Sequence, residues 1–212
     1  MAVVQPSLAV ASVDDIGHCQ LSDSGIEMES GMSLRTALKL GTRDSHDTVD
    51  AIFDRFDLTD SNDYRAFLIA HARAIVAWEE VLEAAGIEAL LPDWPERRRR
   101  TLLAEDLQQL GLPMPASLTC APVTGVSALW GAAYVLEGSK FGGLVLSRRV
   151  PETLPTRYLR SQGPKGSLKQ FMDRLDTAAD VDEAAAIATA RAVFDSFRTA
   201  AEIKRQPVET AP

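Results

Sequence analysis

Cysteine is almost missing from this chain. Only Cys19 and Cys120 occur in 212 residues, far apart and outside any metal-ligand spacing. That excludes a disulfide scaffold and a cysteine-based zinc site, and it suits a reducing cytoplasm. Histidine is nearly as scarce, with His18, His46 and His71 alone. No apolar run reaches membrane-spanning length, and the opening MAVVQPSLAVASVDD lacks the basic segment of a secretory signal. A soluble cytoplasmic protein is expected, with no membrane partner. Positive charge is absent from residues 1–32, which hold Asp14, Asp15, Asp23, Glu27 and Glu29 and so carry five of the eight net negative charges. This Ser- and Gly-rich stretch without periodicity reads as a mobile acidic tail, ending at a methionine that would itself serve as a start. Nothing suggests nucleic-acid binding. The single basic run, Arg97 to Arg100, reads as a solvated face of a short helix.

What remains is ordinary globular material, 46% hydrophobic and 25% charged, long enough to bury a core without staples. No stretch alternates as a strand. Ser33 is a good N-cap for a helix running to about Arg55, and Asp60 or Ser61 caps a second. The second carries Tyr64, Phe67, Leu68, His71, Ile75, Trp78 and Leu82 at helical spacing and is stopped by Gly86. A third helix is expected from near Pro95 to Gly111, then a proline-punctuated loop, GLPMPASLTCAP. An apolar segment from Val123 to Val150 follows, and two more helices fit Ser167–Leu175 and Val181–Ile203. The expected fold is all-α, one helical bundle over residues 33–206, between the acidic tail and a short C-terminal tail at 207–212.

Two stretches stand apart. In TRDSHDTVD, His46 shares a helix with Val49 and Phe53, which suits a core histidine, a phosphotransfer site or a metal ligand equally. In YVLEGSKFGGLVLSRRV, Gly138, Gly142 and Gly143 fall within one buried-looking helix. Each interior glycine costs roughly 1 kcal/mol against alanine, so three cost about 3. Either another helix packs closely there, or backbone approaches a flat ligand. His71, on an apolar helix, reads as a hydrogen-bonded core residue, and Phe194 and Phe197 as core aromatics.

Taken together, LKLGTRDSHDTVD and YVLEGSKFGG resemble the heme oxygenases, in particular the bacterial branch that accompanies bacteriophytochromes. Thr42, His46 and Asp50 match that family's Thr-x-x-x-His followed by an acid four residues on. Lys39 and Arg43 match its basic positions seven and three residues before the histidine, and Gly138, Gly142 and Gly143 its distal Gly-x-x-x-Gly-Gly. Tyr64 to Leu68, Trp78-Glu79 and Pro92-Asp93-Trp94 also correspond, and the likeness covers about Leu34 to Arg149.

The resemblance implies heme as substrate and cofactor, held between a proximal and a distal helix and opened with O2 and electrons to biliverdin, CO and iron. It implies His46 as the iron ligand, a neutral imidazole without the electron push of a thiolate. Lys39 and Arg43 would pair with the propionates, and Asp50 would support the ligand. The distal glycines would bring backbone against the ring and direct O2. The implied partners are an electron donor such as a ferredoxin or a ferredoxin reductase, and a bacteriophytochrome accepting biliverdin. Departures are Ser139 where mammalian-type enzymes have aspartate, Leu168 where the family often has tryptophan, and Gly41 within the first helix. Only Lys169 and Arg174 stand near the family's later propionate arginine. Two rival functions follow from the same residues: heme binding or sensing without turnover, and a helical phosphotransfer or interaction protein using His46.

Overall fold

The computed structural model describes residues 32–203. The acidic stretch before Met32, with His18 and Cys19, and the chain after Ile203 lie outside the described residues. Within them every regular element is a helix, and no strand occurs.

Helix α1 spans Leu34–Phe53, capped by Ser33, whose hydroxyl accepts from the Thr36 amide. Helix α2, Ser61–Ala84, is capped by Asp60, which accepts from the Asn62 and Asp63 amides. Both caps satisfy amides that the first helical turn leaves without partners. Gly86, at φ +80°, ends α2 and opens the short helix α3, Ile87–Leu90, a left-handed turn that favours glycine. The sequence predicts one helix across Pro95 to Gly111, but the structure divides it. Helix α4, Trp94–Arg97, stops where Arg98 turns extended, and α5, Arg100–Gln109, starts afresh. Helix α6 is Val126–Leu146, α7 Arg157–Arg160, α8 Ser167–Asp176 and α9 Glu183–Ile203. α3 and α7, four residues each, are too short to register as periodicity.

The core is continuous and includes Leu38, Phe67, Ile75, Trp94, Leu103, Ala132, Phe171, Phe194 and Phe197. Its principal organiser is α9, which packs along both α1 and α6, whereas α1 and α6 hardly touch each other. Two glycines permit this. A Cβ on Gly131 of α6 would stand against the Ala186 carbonyl, and one on Gly41 of α1 would meet the Ile187 side chain, Cδ1 at 2.7 Å. Gly41, costly by helix propensity, is thus explained by close approach. Beyond their C-terminal ends α1 and α6 are linked to each other, Arg149 lying 3.9 Å from Asp54. α9 follows α1 from Gly41 past His46 to Phe53, and it seats on α6 at Gly131. Along the chain His46 lies between Gly41 and Asp54, and Gly138 and Gly142 lie between Gly131 and Arg149.

The solvated reading of Arg97–Arg100 is corrected. Arg97 and Arg99 are 3% and 2% exposed, whereas Arg98 and Arg100 both reach Glu83. The break between α4 and α5 is the cause: an extended residue between two helices turns alternate side chains inward.

Candidate functional site

The proximal side is built on one stripe of α1. Lys39, Arg43, His46 and Asp50, spaced four, three and four apart, recur on a single helical face. His46 Nδ1 lies 3.4 Å from Asp50 Oδ2 and 3.7 Å from Asp47 Oδ1. Asp50 is buried and Asp47 exposed, so the buried carboxylate governs the imidazole. The ring stands edge-on to Phe194 of α9, with centroids 5.9 Å apart. Phe194 is a core aromatic, as its spacing predicts, and its edge also borders the His46 ring. The second ring nitrogen, Nε2, is buried and has no hydrogen-bond partner. Three other buried side-chain nitrogens share this condition, Arg65 Nε, Arg73 Nη1 and Trp78 Nε1. Those are N–H donors with no lone pair to offer, whereas an imidazole nitrogen can be a ligand. Thr42 is buried, its hydroxyl donating to the Leu38 carbonyl at 2.7 Å.

Opposite is α6, whose Gly131, Gly138 and Gly142 fall on one stripe at spacings of seven and four. Gly131 seats α9, and Gly138 and Gly142, both buried, continue the same stripe. Gly143 is explained by packing: a Cβ there would stand 2.9 Å from the Leu159 carbonyl of α7. Its place is behind the stripe. Gly131 belongs with the motif, and the seven-residue spacing to Gly138 was the signal available for it.

Behind α6 lies a buried polar layer. Glu137, 1% exposed, accepts from Arg97 Nη1 at 2.8 Å and from Lys140 Nζ at 2.5 Å, and Asp93 takes Arg97 Nε at 2.7 Å. Burial pushes the Lys140 ammonium down to about 8 despite Glu137 beside it. Ser139 is buried, donating to the Leu136 carbonyl at 2.8 Å and accepting from Arg99 Nη2 at 2.5 Å. Motif reasoning singled out Ser139 but not the arginine bonded to it. His71 is a buried, hydrogen-bonded core histidine as expected: Nδ1–H donates to the Phe67 carbonyl at 3.0 Å, among Phe53, Phe67, Tyr158 and Phe197.

The two later cations are engaged elsewhere. Lys169 pairs with Asp173 on the surface, and Arg174 donates to the Leu90 carbonyl and lies over the Trp130 ring. Arg43 is exposed and Lys39 half-buried, both on the His46 stripe. Among the described residues no cluster of three or more His, Cys, Asp or Glu side chains is arranged to hold a metal ion, and no helix is long and apolar enough to cross a membrane.

No family model matches the chain. Among solved structures, the fold is similar to that of the NO- and CO-bound heme oxygenase of Neisseria meningitidis. The TM-score is 0.71 at 20% identity, covering 85% of this chain and 96% of that one. In sequence the chain is 33% identical over 159 residues to a heme oxygenase of Xanthomonas campestris pv. campestris (strain 8004), covering 70% of this chain and 94% of that protein. With that identity across nearly the whole length of its relative, the chain belongs to the heme oxygenase family.

Proposed function

We propose that this heme oxygenase binds heme between α1 and α6, with His46 Nε2 as iron ligand, and opens it with O2 and electrons to biliverdin, CO and iron. The observation that carries the reading is His46 Nε2, a buried nitrogen with no partner on an imidazole whose other nitrogen faces a buried carboxylate. A proton held on Nδ1 toward Asp50 leaves the Nε2 lone pair free, which is how protein imidazoles are oriented toward metals. Bound heme supplies both the iron that activates O2 and the ring that is consumed.

The chain's own residues have separable tasks in this reading. Asp50 fixes the ring orientation of His46. Phe194 limits how far the imidazole can swing. Gly138 and Gly142 present bare backbone to one ring face, and Gly143 lets α7 close behind them. Ser139 accepts a hydrogen bond beside that face; its own proton is committed to Leu136. Lys39 and Arg43 follow the same stripe as His46, placed for two propionates. The electrons come from a small redox partner such as a ferredoxin or its reductase in the cytoplasm. Biliverdin passes to a bacteriophytochrome, the destination that the likeness of the two motifs favours.

Hemin titration tests the reading. One equivalent should give a Soret band, and His46→Ala should abolish it or convert it to that of a loosely held heme. Reduced ferredoxin or ascorbate in air should then produce bilin absorbance from the wild-type complex. A Soret band without bilin would leave a heme-binding protein without turnover. A His46→Ala variant with an unchanged spectrum would remove His46 as the ligand.

A further inference from the structure

The four consecutive arginines differ in one respect. Arg97 is paired with Asp93 and Glu137, and Arg98 and Arg100 share Glu83. Arg99 is 2% exposed, yet among the described residues no carboxylate lies within ion-pair distance of its guanidinium. Its contacts are neutral: Nη2 donates to Ser139 Oγ at 2.5 Å and to the Leu136 carbonyl at 3.1 Å, and the guanidinium lies 5.0 Å from the centre of the Tyr158 ring. The nearby acid is Glu79, whose oxygens take the backbone amides of Arg99 and Arg100, at 2.6 and 3.2 Å. Glu79 acts on the guanidinium only from beyond contact distance, and burying a guanidinium with no carboxylate against it is costly; such groups concentrate where their charge is used.

We propose that Arg99 is the positioning residue of the distal side: it fixes the Ser139 hydroxyl and supplies the positive charge that favours an anionic ligand at the face formed by Gly138 and Gly142. This rests on the heme reading above. Ser139 cannot supply that charge or a proton, because its hydrogen goes to Leu136 and one lone pair is taken by Arg99. Arg99 reaches Ser139 from the junction between α4 and α5, whose backbone amides are held by Glu79, so its dipoles need little reorganisation when charge develops nearby. The other titratable groups facing this cluster are Glu79, His71, Tyr158 and Lys140. After burial, the charge of Arg99 is a further cause lowering His71 and Lys140, and it acts in the same downward sense on Tyr158. Its field therefore spreads well beyond Ser139.

Fluoride binding to the ferric hemin complex at fixed pH reads this potential directly. The Soret band of each complex first establishes that heme is bound. Arg99→Gln should weaken fluoride binding about tenfold. Arg99→Lys, which keeps the charge, should stay within about threefold of wild type, and so should Ser139→Ala. An unchanged fluoride affinity in Arg99→Gln, even with a lowered melting temperature, would reduce Arg99 to a structural residue and overturn the proposal. A tenfold loss in Ser139→Ala would overturn it as well, by moving the role to the serine; that variant decides the matter if Arg99→Gln does not fold. Wild-type protein that gives no Soret band would instead overturn the heme reading itself.

Discussion

His46 and His71 are both histidines on mixed helices, and the structure separates them by what their nitrogens face. His46 has a buried carboxylate at one nitrogen and nothing at the other. His71 gives Nδ1–H to a backbone carbonyl and is otherwise enclosed by aromatic rings, so burial pulls it from 6.5 down to about 3, with the charge of Arg99 adding to the effect. The consequence has a definite sign. Between about pH 6.5 and 3 the unfolded chain protonates this imidazole while the native state holds it neutral. Stability present above 6.5 is therefore lost as pH falls through that window, by about 1.4 kcal/mol per unit. From pH 7 to pH 5 the loss through His71 should be about 2 kcal/mol, and His71→Phe should lack it. Denaturant melts of both proteins at the two pH values check this, since the carboxylates titrate alike in each. An equal loss in the two proteins would mean that His71 is not the source. At this scale the sequence was informative where residues a few positions apart sufficed, as with Lys39, Arg43, His46 and Asp50. It was silent on Arg99, whose partner Ser139 is forty residues away.

Between helices, the glycines carry the information, and their reasons differ. Gly131 faces backbone, the Ala186 carbonyl, which cannot rotate aside. Gly41 faces the Ile187 side chain, half-buried and able to give a little. Gly131→Ala should therefore destabilise by about 2 kcal/mol net, overpacking outweighing the roughly 1 kcal/mol of helix propensity gained. Gly41→Ala should fall within about 1 kcal/mol of wild type, because the same gain offsets a smaller clash. Thermal melts of the two variants make the comparison, and equal costs would defeat it. The helices themselves were largely legible: the Ser33 and Asp60 caps, the Gly86 stop and the apolar periods of α2 and α6 are local signals. The division of α4 from α5 was not, because no glycine or proline marks it. The acids that engage this run come from α2 and α6: Glu137 pairs with Arg97, Glu83 with Arg98 and Arg100, and Glu79 takes the amides of Arg99 and Arg100. A run of four arginines looks solvated until those acids are in place.

Over the whole molecule, the long helices α1 and α6 meet mainly through a third, α9, and the proposed heme site lies between the two that α9 joins. A ligand joining both helices adds to stability by mass action. At about one hundred times its dissociation constant, hemin should contribute about 2.7 kcal/mol, raising the melting temperature by roughly 5–10 °C for a chain of this size. In His46→Ala the increase should shrink to less than half. Calorimetry with and without hemin measures both, and an undiminished shift in the variant would place the ligand elsewhere. The all-α class was visible in helical periods and caps, and the heme oxygenase family in two motifs. The spacer was not, because the seat of Gly41 and Gly131 on neighbouring residues of α9 is a meeting of three distant segments.

That seat has a consequence for how the protein is made. Synthesis delivers α1 and α6 long before α9, and until Ala186 and Ile187 arrive neither helix has the surface that holds it at its distance from the other. A nascent chain carrying His46 and the whole glycine stripe should therefore be unable to sequester heme, and competence should appear only with the last helix. Chains cut short before α9 would be released without a reactive ligand aboard.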